Sequence, residues 1–347
     1  MESIKKKLPG ILTCFIIAVP SWLLGKTFPI IGGPVIAILA GMLITMVWKN
    51  KGNAETGIKW TSKIVLQTAV VLLGFGMNLA VILQTGKQSL PIIVCTISTS
   101  LIIAWILRKV IHVPSNTSIL VGVGSSICGG SAIAATAPVI DADDNEVAQA
   151  ISVIFFFNVL AAIFFPILGK VIGFDTTSGG AFGIFAGTAI NDTSSVTAAA
   201  STWDSMWNLG SETLNKAVTV KLTRTLAIIP ITLGLSAIRA KQAAKDNQKT
   251  NGFSLKRAFP MFILYFVIAA IITTICIHMG MGVSADVFAP LKELSKFFII
   301  MAMAAIGLNS NVIELIKTGG KPIILGASCW AGITVVSLIM QHVMGIW

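Results

Sequence analysis

Charge is what this sequence has least of. Only 11% of its 347 residues are charged, whereas 55% are hydrophobic, and the mean hydropathy is +0.87. This composition excludes a water-soluble globular protein. Apolar segments of near-bilayer length, about 20 residues each, recur about eleven times, among them residues 61–83 and 90–107. The sequence therefore predicts an all-α polytopic membrane protein with about eleven transmembrane helices, forming a single transmembrane domain over residues 1–347.

Motifs of several other functional classes are also missing. The five cysteines include no CxxC pair and the three histidines are dispersed, so neither a disulfide framework nor a metal site is expected. No GxxxxGK phosphate-binding loop, paired carboxylates or activated nucleophile is recognisable. The net charge of +11 lies at segment ends rather than on an aromatic-bearing face. We therefore expect no enzyme and no nucleic-acid binding, and the lipid bilayer is the first expected partner.

The acidic run at residues 141–146 could suggest a calcium loop. An EF-hand needs glycine at its sixth position and glutamate at its twelfth, where this chain has Glu146 and Ser152. The run therefore predicts a solvated turn and the start of a helix.

Two polar stretches interrupt the apolar segments. Residues 122–138, GVGSSICGGSAIAATAP, combine glycines that weaken a helix with serines that can bond freed backbone groups. Residues 183–200, GIFAGTAINDTSSVTAAA, align with them so that Gly124 matches Gly187 and Ser131 matches Ser194. Irregular backbone at membrane depth is tolerated only where protein buries it or where it lines a cavity. We expect two discontinuous helices that together form a site, with tight packing through small residues as the simpler alternative.

Charged side chains in or near these stretches are candidates for function. Asp192 is the only ionisable residue of the second stretch, and a carboxylate at that depth requires protonation, a counter-charge or a bound ion. Lys221 and Arg224 share a helix face and predict a negative partner, either Asp192 or an anionic substrate, unless both snorkel to the membrane surface. The helix breaks are expected to offer N–H groups to an anion, aided by hydroxyl groups. Those hydroxyls belong to Ser125, Ser126, Ser131, Thr193 and Ser194.

A second internal similarity is gapless. LGFGMNLAVILQTGKQSLPII, at residues 73–93, matches residues 304–324 with Asn78 aligned to Asn309 and Pro91 to Pro322. These are the third and tenth predicted spans, which cross in opposite directions, as in the inverted repeats of secondary transporters. The two glycine-rich stretches instead fall in parallel spans, which simple inversion does not predict. Asn78 and Asn309 are therefore second-tier site candidates, with a role in helix packing as the alternative.

Basic residues predict the orientation. Most lysines and arginines fall in alternate loops, which identifies those loops as cytoplasmic. The amino terminus is then cytoplasmic, and eleven crossings place Trp347 outside. Residues 240–254, AKQAAKDNQKTNGFS, have linker composition and predict a cytoplasmic loop.

Four motifs resemble one bacterial family. GVGSSICGGSAIAATAPVI, GIFAGTAINDTSSVTAAA, VKLTRTLAIIP and MAMAAIGLNSNVIELIKTGGKP occur in the order found in the YeiH family of inner-membrane proteins, commonly described as candidate sulfate exporters. That family is similar to the cation:proton antiporter and anion transporter superfamily. The kinship implies inverted repeats, broken core helices and a core that moves against a scaffold.

The resemblance also implies further site residues. It adds Cys128, Gly129, Gly130 and Asn191 to the residues named above. Many family members have histidine before the acid where this chain has Asn191-Asp192, so a proton relay through that histidine is not expected here.

Together these observations predict a secondary transporter of a small anion, such as sulfate, a sulfonate or a small carboxylate, in the bacterial inner membrane. Export would be coupled to H⁺ or Na⁺ at Asp192 by alternating access, with no other cofactor. The alternative is a sodium/proton antiporter in which Asp192 is the ion ligand. Substrate identity, transport direction and assembly as a homodimer are left open.

Overall fold

The computed structural model describes residues 2–28, 32–75, 77–228, 230–235, 237–238, 261–278, 285–309 and 320–347. Regular structure in these ranges is helical, without a strand. The predicted linker at 240–254 lies outside the described residues. Five helices are long and apolar enough to cross a membrane, and several shorter apolar helices accompany them. The expected membrane-protein class is therefore confirmed, whereas the count of eleven spans stays a prediction.

The helices are numbered in chain order. They are α1 (Glu2–Thr27), α2 (Gly33–Val47), α3 (Glu55–Trp60), α4 (Leu66–Gly74), α5 (Leu79–Ile111), α6 (Ser115–Ser126), α7 (Gly130–Thr136), α8 (Asp144–Ile172), α9 (Gly180–Ala189), α10 (Thr193–Trp207), α11 (Glu212–Thr225), α12 (Met261–His278), α13 (Ala289–Asn309) and α14 (Gly320–Val343). A π-helical turn, Thr61–Val65, joins α3 to α4 without a break. Helical residues after α11 extend the same span to Leu235.

The boundary between the third and fourth predicted spans is displaced. α4 ends at Gly74 and α5 begins at Leu79, and Asn78 caps α5 by accepting a hydrogen bond from the Ala80 amide at 2.8 Å. The polar residues at 84–89, expected as a loop, lie inside the 33-residue helix α5. They remain helical because their polar groups find nearby partners: the Ser89 hydroxyl, for example, bonds the Thr85 carbonyl at 2.9 Å.

The acidic run behaves as the sequence predicts. Asp143 and Glu146 form a reciprocal capping box that starts α8, each side chain bonding the other residue's backbone N–H.

The helices form two bundles. α1 to α4, α12 and α13 pack mainly against one another, and we call them the panel bundle. α5 to α11 and α14 also pack mainly among themselves and form the core bundle. The bundles meet where α10 contacts α2 and α13, and also where α12 contacts α5. Both discontinuous helices therefore belong to the core bundle, and α10 of the second one packs directly against the panel.

The panel bundle is held by close backbone contact. Gly41 on α2 faces Gly307 on α13, and a Cβ added to Gly307 would lie 2.2 Å from the Ile38 carbonyl oxygen. Without a hydrophobic driving force between helices in lipid, such small-residue contacts are a principal way to bring helices together. The consequence is a panel with little room for internal adjustment.

Candidate substrate and ion site

The first discontinuous helix breaks between α6 and α7. α6 ends at Ser126, and α7 begins after Gly129, which has φ 70° and ψ −127°. That backbone region is essentially reserved for glycine. The break therefore occurs within the stretch where the sequence predicted it, and it leaves the last carbonyls of α6 needing donors from elsewhere.

The second discontinuous helix breaks between α9 and α10. Ile190 and Asp192 have extended backbone, and Asp192 is the N-cap of α10. Its carboxylate accepts the Ser194 amide at 3.0 Å and also the Ser194 hydroxyl. The carboxylate thus stabilises the amino-terminal end of α10, where the helix dipole favours negative charge.

Helix α11 carries the basic pair to both breaks. Gly179, Gly183 and Gly187, each four residues apart, allow α11 to pack directly on α9, and a Cβ on Gly187 would lie 2.7 Å from Val220. At the amino-terminal end of α11, the buried Asp204 of α10 accepts hydrogen bonds from the Thr213 and Leu214 amides at 2.9 Å each and so caps α11. These contacts hold α11 in the orientation in which Lys221 and Arg224 point towards the two breaks.

Arg224 bonds both broken helices at once. Its Nε donates to the Ser126 carbonyl at 2.8 Å and its Nη2 to the Ser125 carbonyl at 2.7 Å, both on α6. Its Nη1 donates to the carbonyls of Thr188 at 2.7 Å and Ile190 at 3.2 Å, at the end of α9. The remaining Nη2 hydrogen points to the Asn191 Oδ1 at 3.4 Å. A guanidinium has five N–H donors, so this set uses all of them.

Lys221 repeats the arrangement. Its Nζ donates to the Ile127 carbonyl at 2.6 Å and to the Ile190 carbonyl at 3.1 Å. Both Lys221 and Arg224 have 0% solvent exposure. They therefore do not snorkel, and the alternative that placed them at the membrane surface is wrong.

The expected negative partner of the basic pair takes another form. Among the described residues, neither cation forms an ion pair with Asp192. Instead, each neutralises the carbonyl ends of α6 and α9, which together carry roughly one negative charge through the helix dipoles. The amino-terminal ends of α7 and α10 contribute about one positive charge by the same effect, so the break region stays net positive even with Asp192 ionised.

Asn158 is a site residue that the sequence reasoning missed. It lies on α8 with 2% exposure, and its Oδ1 accepts the backbone amides of Asn191 at 3.1 Å and Asp192 at 3.2 Å. It also lies beside the other break, with its Nδ2 3.5 Å from where a Cβ on Gly129 would be. The sequence does contain an indication of this role: Asn158 lies in the middle of the apolar run FFFNVLAA, and an asparagine inside a membrane requires a hydrogen-bonding partner.

A cavity of about 1280 Å³ lies between the bundles. Its core wall includes Asp192, Thr193, Ser194, Ser131 and Asn158. Its panel wall is formed by residues spaced three or four apart along α3, the π turn and α4. They are Lys59, Ser62, Lys63, Leu66, Gln67 and Val70. Asp192 is partly exposed to this space, whereas Lys221 and Arg224 lie behind the breaks and outside the lining.

The cavity separates the predicted site residues into groups. Gly130, Ser131, Asp192, Thr193, Ser194 and Asn309 line it. Buried outside the lining are Ser125, Ser126, Cys128, Gly129, Asn191, Lys221 and Arg224. Ser125 and Ser126 contribute to the site through their backbone carbonyls, which accept hydrogen bonds from Arg224. The Ser126 hydroxyl is directed elsewhere and donates to the Val123 carbonyl of its own helix at 2.9 Å. Asn78 is separate from both groups, because it caps α5.

The panel wall was also missed by the sequence reasoning. Lys59 and Lys63 entered that reasoning only as orientation charges. Lys59 pairs with Glu55 at 2.6 Å. The Lys59 ammonium donates a hydrogen bond to the exposed Glu55 carboxylate and attracts its negative charge, and both effects hold the pKa of that carboxyl below its ordinary value. The signal for the wall was its spacing of polar positions, 59, 62, 63 and 67, on one helix face.

Fold and site define a polytopic membrane protein in which two interrupted helices meet at a buried basic pair. The family model described as Conserved hypothetical protein 698 matches residues 9–326. The chain is 59% identical over 347 residues to a UPF0324 membrane protein of Streptococcus pyogenes serotype M6, covering 100% of both chains. It is 59% identical over 345 residues to one of Streptococcus mutans serotype c, covering 99% of this chain and 98% of the relative. One from Fusobacterium nucleatum is 56% identical over 350 residues, covering 98% and 99%.

The chain belongs to the Conserved hypothetical protein 698 family of membrane proteins. The resemblance to the YeiH family drawn from the four motifs is thereby confirmed. The relatives' names state a membrane protein, and neither those names nor the family description gives a substrate.

Proposed function

We propose that this protein is a secondary active transporter of a small anion, such as sulfate, a sulfonate or a small carboxylate, with H⁺ coupling at Asp192. The observation that carries the proposal is the cavity between the two bundles, which joins a carboxylate at a helix break to a wall with two lysines. The proposal includes no chemical step and no resident cofactor. It also retains the bacterial inner membrane as location and the cytoplasmic amino terminus.

Charge balance supports coupling to a proton. With Asp192 ionised, its carboxylate and the carbonyl ends of α6 and α9 offset most of the positive charge of the two cations and of the amino-terminal ends of α7 and α10. An added anion would then be repelled by the nearby carboxylate. Protonation of Asp192 removes that repulsion and leaves the region more positive. Anion and proton therefore favour each other's binding, which is the requirement for coupled transport.

The division into bundles supports alternating access. The panel and core make most of their contacts internally, and the cavity lies between them. In transporters with broken helices, one bundle moves against the other around a site at the breaks. Movement of the core bundle against the panel would carry Asp192 and the two breaks together.

The first test is a thermal-shift screen of the detergent-purified protein with sulfate, sulfite, methanesulfonate, acetate and sodium between pH 5 and pH 8. A ligand that binds the folded state raises its Tm. We expect an anion to stabilise the wild type more strongly at low pH, and to stabilise Asp192→Asn independently of pH. Asp175→Asn, at an exposed loop carboxylate, is the matched control and should behave as the wild type.

Transport follows in proteoliposomes. The stabilising anion should show saturable uptake that is accelerated by unlabelled anion on the opposite side, which distinguishes a carrier from a channel. An inward proton gradient should drive uptake by the wild type, and Asp192→Asn should retain exchange while losing the response to the gradient. Uptake without saturation or counterflow contradicts the carrier proposal.

A sodium/proton antiporter is the second candidate, and one observation favours it. Lys221 and Arg224 lie outside the cavity lining, and Arg224 uses all five donors on protein acceptors. Asp192 is therefore the only charged residue of the two described breaks that lines the cavity. The Ser194 hydroxyl and the Asn158 amide lie beside it. The test is pH-driven sodium flux with no transportable anion present. Such flux, abolished in Asp192→Asn, would support the antiporter and exclude the anion proposal.

A further inference from the structure

We propose that the panel wall holds an anion-binding half-site centred on Lys63, with Ser62, Gln67 and Asn309 around it. The inference rests on the proposed function and names the groups that contact the substrate anion. The ligand class is a small oxyanion or carboxylate, held between Lys63 on the panel and the Asp192 side of the core.

The first argument is which cation remains available to a ligand. Arg224 has no N–H left, and Lys221 has given two of its three donors to carbonyls. Neither lines the cavity. Lys59 lines it but is paired with Glu55 at 2.6 Å. Lys63 lines the cavity and has no ion pair within the described part of the chain.

The second argument is the local backbone. Lys63 is the central residue of the π-helical turn Thr61–Val65, which interrupts otherwise regular helix. A single π turn inside an α-helix is uncommon, and such turns frequently occur at functional sites. Because the turn accommodates an extra residue, it changes which side chains the following residues present to the cavity.

The third argument is that polar groups converge here from two helices. Asn309, the last residue of α13, donates from Nδ2 to the Ser62 hydroxyl at 3.4 Å. Ser62, Lys63 and Gln67 share the cavity-facing side of the π turn and α4, while Ile306 and Val70 provide apolar surface beside them. The Ser62 hydroxyl itself donates to the Lys59 carbonyl at 3.0 Å, so the donors that remain for an oxyanion are the Lys63 ammonium and the amides of Gln67 and Asn309.

The placement also gives the ligand a mechanical role. A carboxylate or sulfate held by Lys63 on the panel and by a protonated Asp192 on the core contacts both bundles. Its binding would therefore favour the arrangement in which the two walls are close, which is a difference in affinity between the transporter's states.

The experiment measures dissociation constants for sulfate, methanesulfonate and acetate at pH 5.5, from the ligand dependence of Tm and by calorimetry. The variants are Lys63→Gln, Lys63→Arg and Lys59→Gln, with Lys87→Gln, an exposed α5 lysine outside the cavity lining, as control. We expect Lys63→Gln to weaken anion binding roughly tenfold or more, since a charge-assisted hydrogen bond is lost. Lys63→Arg should stay within about threefold of the wild type, because the charge is kept, and Lys59→Gln should lose about two- to threefold. Lys87→Gln should be unchanged.

The Tm without ligand is recorded for each variant, and we expect Lys63→Gln to match the wild type because its side chain is exposed. Equal affinities of Lys63→Gln and the wild type would overturn the half-site while leaving the anion proposal intact. Equal losses in Lys63→Gln and Lys59→Gln would overturn it too, because they would indicate diffuse attraction rather than a defined contact. If no anion shifts the wild-type Tm at any pH, the half-site falls together with the proposed function.

Discussion

The two helix breaks are alike on one side and different on the other. On the carboxyl-terminal side of α6 and α9, the same two cations bond the free carbonyls. On the amino-terminal side, the N-cap of α7 is Gly129, which offers no side-chain hydrogen bond, whereas the N-cap of α10 is Asp192, whose carboxylate caps the helix. The comparison indicates that α11 maintains both breaks, while a titratable group controls only the second.

The largest expected effect tests the shared side. Arg224→Ala removes five hydrogen bonds and leaves buried carbonyls on both helices unpaired. We expect a loss of about 3–5 kcal/mol of folding free energy, as when one partner of a buried charged network is deleted. The measurement is Tm and detergent-solubilised yield. Arg108→Ala, at an exposed position near the end of α5, is the control and should stay near the wild type.

If α11 maintains both breaks, Arg224→Lys should recover only part of that loss, because an ammonium cannot span the acceptors that the planar guanidinium reaches. A wild-type Tm in Arg224→Ala would show that the breaks persist without the shared cation.

The next effect tests the contact between α8 and the second break. Asn158→Leu keeps the branched shape of the side chain but leaves the Asn191 and Asp192 amides without their acceptor. At roughly 1–2 kcal/mol for each of the two unpaired amides, we expect a loss of about 2–4 kcal/mol, measured as a shift in Tm. Asn145→Leu, exposed in the first turn of the same helix, is the control. Equal stability of the two variants would mean that these amides do not depend on Asn158.

A smaller effect tests the glycine side of the comparison. Gly129→Ala places a side chain at φ 70°, which we expect to cost about 1–3 kcal/mol through backbone strain. The adjacent Gly130→Ala adds a Cβ that meets no atom within 4 Å and needs no unusual backbone. We expect Gly130→Ala to be neutral or slightly stabilising at the start of α7. Equal Tm values for the two variants would contradict the assignment of strain to Gly129.

The smallest expected effect on stability sharpens the difference between the breaks. Asn is about as good an N-cap as Asp, so Asp192→Asn should change the Tm by only about 1 °C, equivalent to a few tenths of a kcal/mol. Asp192→Ala removes the cap and should cost about 1 kcal/mol. If Asp192→Asn is as unstable as Asp192→Ala, the charge and not the hydrogen bond is what stabilises α10.

Much of the fold could be predicted from composition and small-residue patterns. The breaks occur within the two glycine-rich stretches, because a membrane helix of small polar residues with glycines does not stay regular. The α4 to α5 boundary could not be predicted from hydropathy. Residues 84–89 are polar enough to indicate a loop, yet their hydroxyls and amides find partners within α5 and on neighbouring helices.

The partners of the basic pair could not be predicted either. The sequence indicates that Lys221 and Arg224 require negative charge, and the natural partners to consider are a carboxylate or a substrate. Carbonyl groups at helix ends leave no trace in residue type, since every residue carries one. Only the geometry shows that the breaks themselves provide the negative charge that the cations neutralise.

The assignment of helices to bundles limits where bending can occur. The chain passes from panel to core between α4 and α5, returns between α11 and α12, and passes once more between α13 and α14. Because Arg224 and Lys221 fasten α6, α9 and α11 together, sliding of the core bundle cannot easily be absorbed at the helix breaks. It would instead change the contacts by which α10 packs on α2 and α13, where the two bundles meet. A cross-link between α10 and α2 should therefore arrest transport while leaving ligand affinity intact.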